Sequence, residues 1–119
     1  MTIQDLVGEY SIIGSNQNED QNTYKGTLHL TLDQNERIKA KWIINNNQIQ
    51  LGNGFFKDNI LVINFHYLGE NDAIFKGVVV YKCLSKNVLE GFWSEEQGDP
   101  EFLGTEQCFR TNTQNEFLN

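Results

Sequence analysis

The residues of this chain best placed to do chemistry lie close together near its C-terminus. Glu106, Cys108 and Arg110 recur at every second position, and on a β-strand that spacing turns all three to one face, together with Phe102 and Gly104. A carboxylate on the inward face of a sheet has to be paired or has to hold something polar. Two readings of Glu106 are therefore open. One is an internal ion pair or hydrogen bond with Arg110 or Tyr10, the commoner arrangement; the other is an anchor for a cationic or hydroxyl-bearing ligand. An acid or base role for Glu106 or His66 in a cyclase or isomerase is a third and weaker reading, because the sequence shows no nucleophile beside a base and no phosphate-binding loop. His29 and His66 are isolated, and Cys83 and Cys108 lack CxxC spacing. No metal site and no cofactor is predicted.

These side chains need strands to hold them. From Ala73 to Glu96 two alternating apolar segments flank a short turn at Ser85, Lys86 and Asn87: Ala73, Phe75, Gly77, Val79 and Tyr81 share a face, and Leu89, Gly91 and Trp93 continue it. Glycines in mid-strand weaken it unless the strand bends or something approaches its backbone. Earlier in the chain, a plug turn at Asp5, Leu6 and Val7 leads into a strand from Gly8 to Ile13, followed by a polar loop, Gly14 to Asn22. The second strand places Tyr24, Gly26, Leu28, Leu30 and Leu32 inward, and the third places Ile38, Ala40, Trp42 and Ile44 inward. A fourth, about Gln48 to Phe56, contains Gly52 and Gly54 and is expected to be bulged, leaving its facing open. The fifth, Ile60 to Leu68, turns Leu61, Ile63, Phe65 and Tyr67 inward, and the eighth is expected from Phe102 to Thr111.

Eight short strands, brief turns and no helical period predict an all-β fold. An open sheet would expose its edges, so the expectation is a closed eight-stranded antiparallel up-and-down meander barrel. The 119 residues, with one proline and no break in composition, form one domain, 1–119, with 113–119 as a frayed tail. The formal charge of −7 argues against nucleic acid and against an anionic membrane surface, both of which need clustered lysine and arginine. No basic leader and no run of roughly 18 apolar residues is present. The expected location is the cytoplasm, or outside the cell by a signal-independent route. Cys83 and Cys108 fall two strands apart, about 10 Å, beyond disulfide reach, which predicts free, half-buried thiols in a reducing compartment.

Gly8, Glu9 and Tyr10, with Arg110 on the last strand, resemble the Gly-x-Trp motif and closing arginine of the calycin superfamily, which includes lipocalins, fatty-acid-binding proteins and avidins. The resemblance implies a barrel floor closed by Gly8, Tyr10 and Arg110, with tyrosine in place of tryptophan. Phe75, Gly77, Val88, Leu89 and Trp93 are similar to the sixth and seventh strands of the avidin branch, and Tyr24 and Gly26 to its second. Of the tryptophans that stack biotin in avidins only Trp93 has a counterpart. Phe102 stands where a second is expected, and Gly14, Ser15 and Asn16 make a poor polar grip, so biotin is not the expected ligand.

The interior candidates Tyr24, Trp42, Phe65, Phe75, Trp93 and Glu106 either line a small-molecule cavity or simply fill a barrel of this strand number. Glycines at 26, 77 and 91 would make room. Meander topology gathers Glu19, Asp20, Glu70, Asp72, Glu95, Glu96, Asp99 and Glu101 in the loops of one mouth and puts Arg37, Lys57 and Lys86 at the floor. Such a rim attracts cations or basic proteins and repels anions; its commoner role is solubility. On the outside, Ile60, Val62, Ile74, Val78, Val80, Val88 and Phe92 predict an apolar patch and a homo-oligomer, a homodimer first. The expected function is a non-enzymatic binding barrel for a small, partly apolar ligand at an acidic mouth. The alternative is an inhibitor, immunity or effector module whose filled barrel meets a basic protein.

Overall fold

The computed structural model describes residues 1–111, so the expected tail at 113–119 lies outside the described residues. After a short 3-10 turn, Ile3–Leu6, eight strands follow: β1 (Gly8–Ser15), β2 (Thr23–Leu32), β3 (Ile38–Ile44), β4 (Gln48–Lys57), β5 (Ile60–Leu68), β6 (Ile74–Ser85), β7 (Val88–Glu95) and β8 (Gly104–Arg110). Each pairs antiparallel with the next, and β1 pairs with β8 from Tyr10↔Arg110 to Ser15↔Thr105. The fold is the all-β, closed eight-stranded antiparallel up-and-down barrel that the alternation predicts. Closure leaves no unpaired sheet edge.

Local chemistry sets the connections. Asp58 and Asn59 hold positive φ in the two-residue β4–β5 turn, and Asn45 and Asn46 do so in the three-residue β3–β4 turn, backbone angles that asparagine and aspartate tolerate and that suit the right-handed twist of a hairpin. The Asp33 carboxylate accepts hydrogen bonds from the backbone N–H of Asn35 (2.7 Å) and Arg37 (2.9 Å) and so shapes the β2–β3 turn.

Four strand expectations are corrected. β1 runs through Gly14 and Ser15 because both pair with β2 and β8. β4 is unbulged: its register with β3 and β5 is continuous, with Gln48, Gln50, Gly52, Gly54 and Phe56 inward. The irregularity falls instead between Cys83 and Ser85 in β6, which leaves Leu84 exposed and narrows the turn to Lys86 and Asn87. β8 begins at Gly104, and Phe102 belongs to the loop before it. Cys83 and Cys108 are free, as expected, but buried instead of half-buried.

The lower half of the barrel is solid. Leu6 from the plug packs with Ile12, Leu28, Leu30, Ile38, Leu61, Ile63 and Leu89 in one buried core, each contributing about 1.5–3 kcal/mol relative to an exposed position. Arg110 closes the floor. Its guanidinium donates to the carbonyls of Val7 (2.8 Å), Asp5 (2.6 Å) and Lys86 (2.7 Å) and to the Tyr10 hydroxyl (2.8 Å), and its Cζ lies 4.8 Å from the Tyr10 ring centroid. Tyr10 in turn donates to the Leu6 carbonyl at 2.9 Å, and burial pushes its hydroxyl up to about 12. Gly8 sits at φ +146° where a Cβ would run into the guanidinium, so this glycine serves both backbone and packing.

On the outer wall Ile74, Val78 and Phe92 are exposed, whereas Val80 and Val88 are half-buried. Phe55, Val62, Val80 and Phe92 lie side by side across β4 to β7. Phe55, on the strand whose facing the sequence left open, is the most exposed of the row at 61%.

Replacing Arg110 by lysine removes the planar fork that ties plug, first strand and β6–β7 turn together. R110K is expected to lower stability by about 2 kcal/mol in urea denaturation with an unchanged slope; a loss under about 0.5 kcal/mol would show that the floor is held by apolar packing alone.

Candidate functional site

Above the solid floor the barrel holds a cavity of about 300 Å³ that opens at the end opposite the plug, at the lower end of the range seen for small-molecule sites. Inward positions of the strands supply its wall. Tyr24 comes from β2, Trp42 and Ile44 from β3, Gln48 and Gln50 from β4, Phe65 and Tyr67 from β5, Val79 and Tyr81 from β6, Trp93 and Glu95 from β7, and Glu106 from β8.

The space exists because large rings face glycines. Tyr24 pairs with Gly14, Phe65 with Gly77, Tyr81 with Gly91 and Trp93 with Gly104. In each pair a Cβ on the glycine would collide with the partner ring. The rings lie along the wall instead of across the lumen. They also pack against one another: Trp42 and Phe65 meet edge-on at 6.0 Å, Phe65 and Trp93 at 6.2 Å, and Tyr24 and Trp93 are tilted at 6.5 Å, separations at which aromatic pairs attract.

At the base of the cavity Glu106 is buried, 4% exposed. Its Oε1 accepts a hydrogen bond from the Tyr24 hydroxyl (2.7 Å), and its Oε2 accepts from Trp42 Nε1 (3.1 Å) and from the Tyr81 hydroxyl. Trp93 Nε1 donates to the Tyr24 hydroxyl at 3.0 Å and extends the network. The expected partners, Arg110 and Tyr10, are not those of Glu106. They lie at the floor, and residues four apart on a strand are separated by about 13 Å. Burial raises the Glu106 carboxyl above the ordinary range, against the pull of the hydrogen bonds it accepts. Burial, then the nearby carboxylate, pushes the Tyr24 hydroxyl up, and burial does the same to Tyr81. Both phenols stay protonated as donors.

Of the predicted interior residues, Tyr24, Trp42, Phe65, Trp93 and Glu106 meet at this cavity. Phe75 does not line it. The parity of Phe75 is inward, but its strand end lies at the mouth, where its ring stacks on Tyr67 (5.4 Å, 21° between planes). Sequence reading passed over Tyr67 and Tyr81 as site residues, although their parity is inward, and assigned Glu95 to the mouth loops, whereas it is the last residue of β7. Tyr67 donates to Glu95 at 2.6 Å, which, after burial, pushes the Tyr67 hydroxyl up. Gln17 was also missed: its Nε2 lies 2.9 Å from Ser94 Oγ and from the carbonyls of Asp99 and Phe102, and its Oε1 accepts the Glu95 N–H. It latches the β7–β8 loop to the rim, and no spacing in the sequence signals such a role. Among the described residues no cluster of potential metal ligands occurs.

No family model and no curated protein matches this sequence. Solved structures share its fold. The redesigned β-barrel mFAP1, bound to DFHBI, is similar with a TM-score of 0.69 at 20% identity over 91% of this chain and 97% of that one. The redesigned barrel mFAP0, also bound to DFHBI, gives 0.67 at 20% identity over 90% and 100%. A protein of unknown function of the DUF3598 family from Nostoc punctiforme gives 0.55 at 14% identity over 93% of this chain and 49% of that one. At these identities the likeness is one of fold.

Glu106→Gln tests the buried carboxyl. The amide oxygen can take the Trp42 and Tyr81 bonds while its NH2 faces Tyr24, so the variant is expected to fold. A carboxyl whose folded pKa is raised contributes stability at low pH and loses it as pH climbs from the ordinary carboxyl range through the folded value. Wild type minus variant stability should therefore fall with rising pH across that window in urea titrations; a rising difference would mean that Glu106 is stabilised as the anion.

Proposed function

We propose that this protein is a non-enzymatic binding barrel that takes a small, partly apolar ligand through its mouth. The observation that carries this reading is the cavity: aromatic walls, a few convergent polar groups at its base and rim, and an opening to solvent, the common character of small-molecule sites. That redesigned β-barrels similar in fold are bound to DFHBI supports a small-molecule role for this barrel. The open upper half disfavours the alternative of a filled interaction module. The acidic mouth loops would favour cationic over anionic ligands during approach.

The finer relationships belong to the same proposal. Arg110 over Tyr10 supports grouping the chain with calycin-type barrels, and the pattern of Phe75, Gly77, Val88, Leu89 and Trp93 favours the avidin branch among them. Its outer row of Phe55, Val62, Val80 and Phe92 supports a homodimer built on that wall. Two free, buried thiols suit a reducing compartment such as the cytoplasm.

Both tryptophans of the chain, Trp42 and Trp93, line the cavity, so occupancy is directly visible in intrinsic emission. Titration with 2-phenylethanol is expected to give a saturable change in tryptophan fluorescence, and Gln50→Phe, which puts a ring into the lumen from β4, should weaken it about tenfold or more with the far-UV spectrum preserved. A response that never saturates, or one unaltered by Q50F, would remove the cavity as the binding site. For the dimer, light scattering should give twice the chain mass for wild type and the single-chain mass for Phe92→Glu; a monomeric wild type at micromolar concentration defeats that part.

A further inference from the structure

We propose that the ligand of the cavity is a small organic cation, an arylalkyl ammonium held between the aromatic wall and two carboxylates; this rests on the binding reading above and names its ligand class. Glu106 and Glu95 are the charged residues lining the cavity, at its base and its mouth, and no lysine, arginine or histidine shares that lining among the described residues. Lys25 and Lys76, near the mouth in sequence, alternate to the outer wall and are exposed. The cavity is thus lined by two acidic side chains without an internal countercharge.

The partners of Glu106 sharpen the point. Tyr24, Trp42 and Tyr81 donate to it as neutral groups, which disperses a negative charge without cancelling it. Oε1 takes its one side-chain hydrogen bond from Tyr24, and a carboxylate oxygen can accept a second. An ammonium group supplies both things wanted there, a donor and a full positive charge. The rings of Trp42, Phe65, Trp93 and Tyr24 line the same cavity as Glu106, and indole and phenol faces attract cations most strongly where water is excluded. An anion in the same space would meet two carboxylates and no cation.

Three ligands of one ring and one chain length separate charge from shape: phenethylammonium, 2-phenylethanol and phenylacetate, each titrated against tryptophan emission at neutral pH. Phenethylammonium is expected to bind about tenfold more tightly than the alcohol, and phenylacetate more weakly than either. E106Q and Glu95→Gln should each shrink the ammonium-to-alcohol ratio. Glu95 is half-buried at the rim and its amide can still accept from Tyr67, so E95Q keeps the test available if E106Q is poorly folded. Equal binding of the three, or a ratio untouched in the folded variants, overturns the cation assignment and leaves the binding barrel standing. Failure of all three to perturb emission overturns both.

Discussion

Hydrogen bonding between β1 and β8 leaves the sheet without an edge, and from that one constraint the rest of the molecule follows. Once the sheet is closed, every second side chain on every strand must be accommodated by the others across a shared lumen. The floor meets this demand with aliphatic packing around Leu6 and with a guanidinium that gathers three backbone carbonyls and the Tyr10 hydroxyl. A barrel floor collects turn and strand ends whose carbonyls have no ladder partner, and an arginine, with five donors in a rigid fork, can satisfy several of them at once.

Above the floor the same constraint has an electrostatic outcome. A buried carboxylate is usually matched by a cation, because transfer from water is so unfavourable. Glu106 is matched by neutral donors on three other strands instead. Those donors knit β2, β3 and β6 to β8 through the lumen, adding cross-barrel ties that backbone pairing cannot provide. A carboxyl held this way keeps an uncompensated charge, or a proton, beside open space, and such perturbed groups concentrate at working sites.

Strand parity was legible because it has a period of two and turns rich in asparagine and aspartate punctuate it. Trp42, Trp93 and Glu106 are inward as their neighbours demand, and closure followed from the lack of any helix to cover an edge. Height within the barrel was not legible. Phe75 has inward parity yet sits at the mouth, and Glu106 shares parity with Arg110 yet lies too far along the strand to reach it. Which inward residues face one another depends on the stagger of eight strands, a collective quantity that no single segment encodes. The bulge in β6 was misplaced to β4 for a related reason: Gly52 and Gly54 lie where rings and backbone crowd the wall, and a glycine kept for space reads in sequence like one kept for a kink.

The matched rings and glycines make the lumen a relief carved one residue pair at a time. Exchanging the members of a pair, so that the large residue moves to the adjacent strand, would rotate a contour of the chamber by one strand while total side-chain volume stays constant. A barrel built this way can be reshaped inside without being thinned or thickened. Its chamber is therefore a comparatively plastic part of an otherwise rigid frame, and distant chains could share the frame while holding quite different guests.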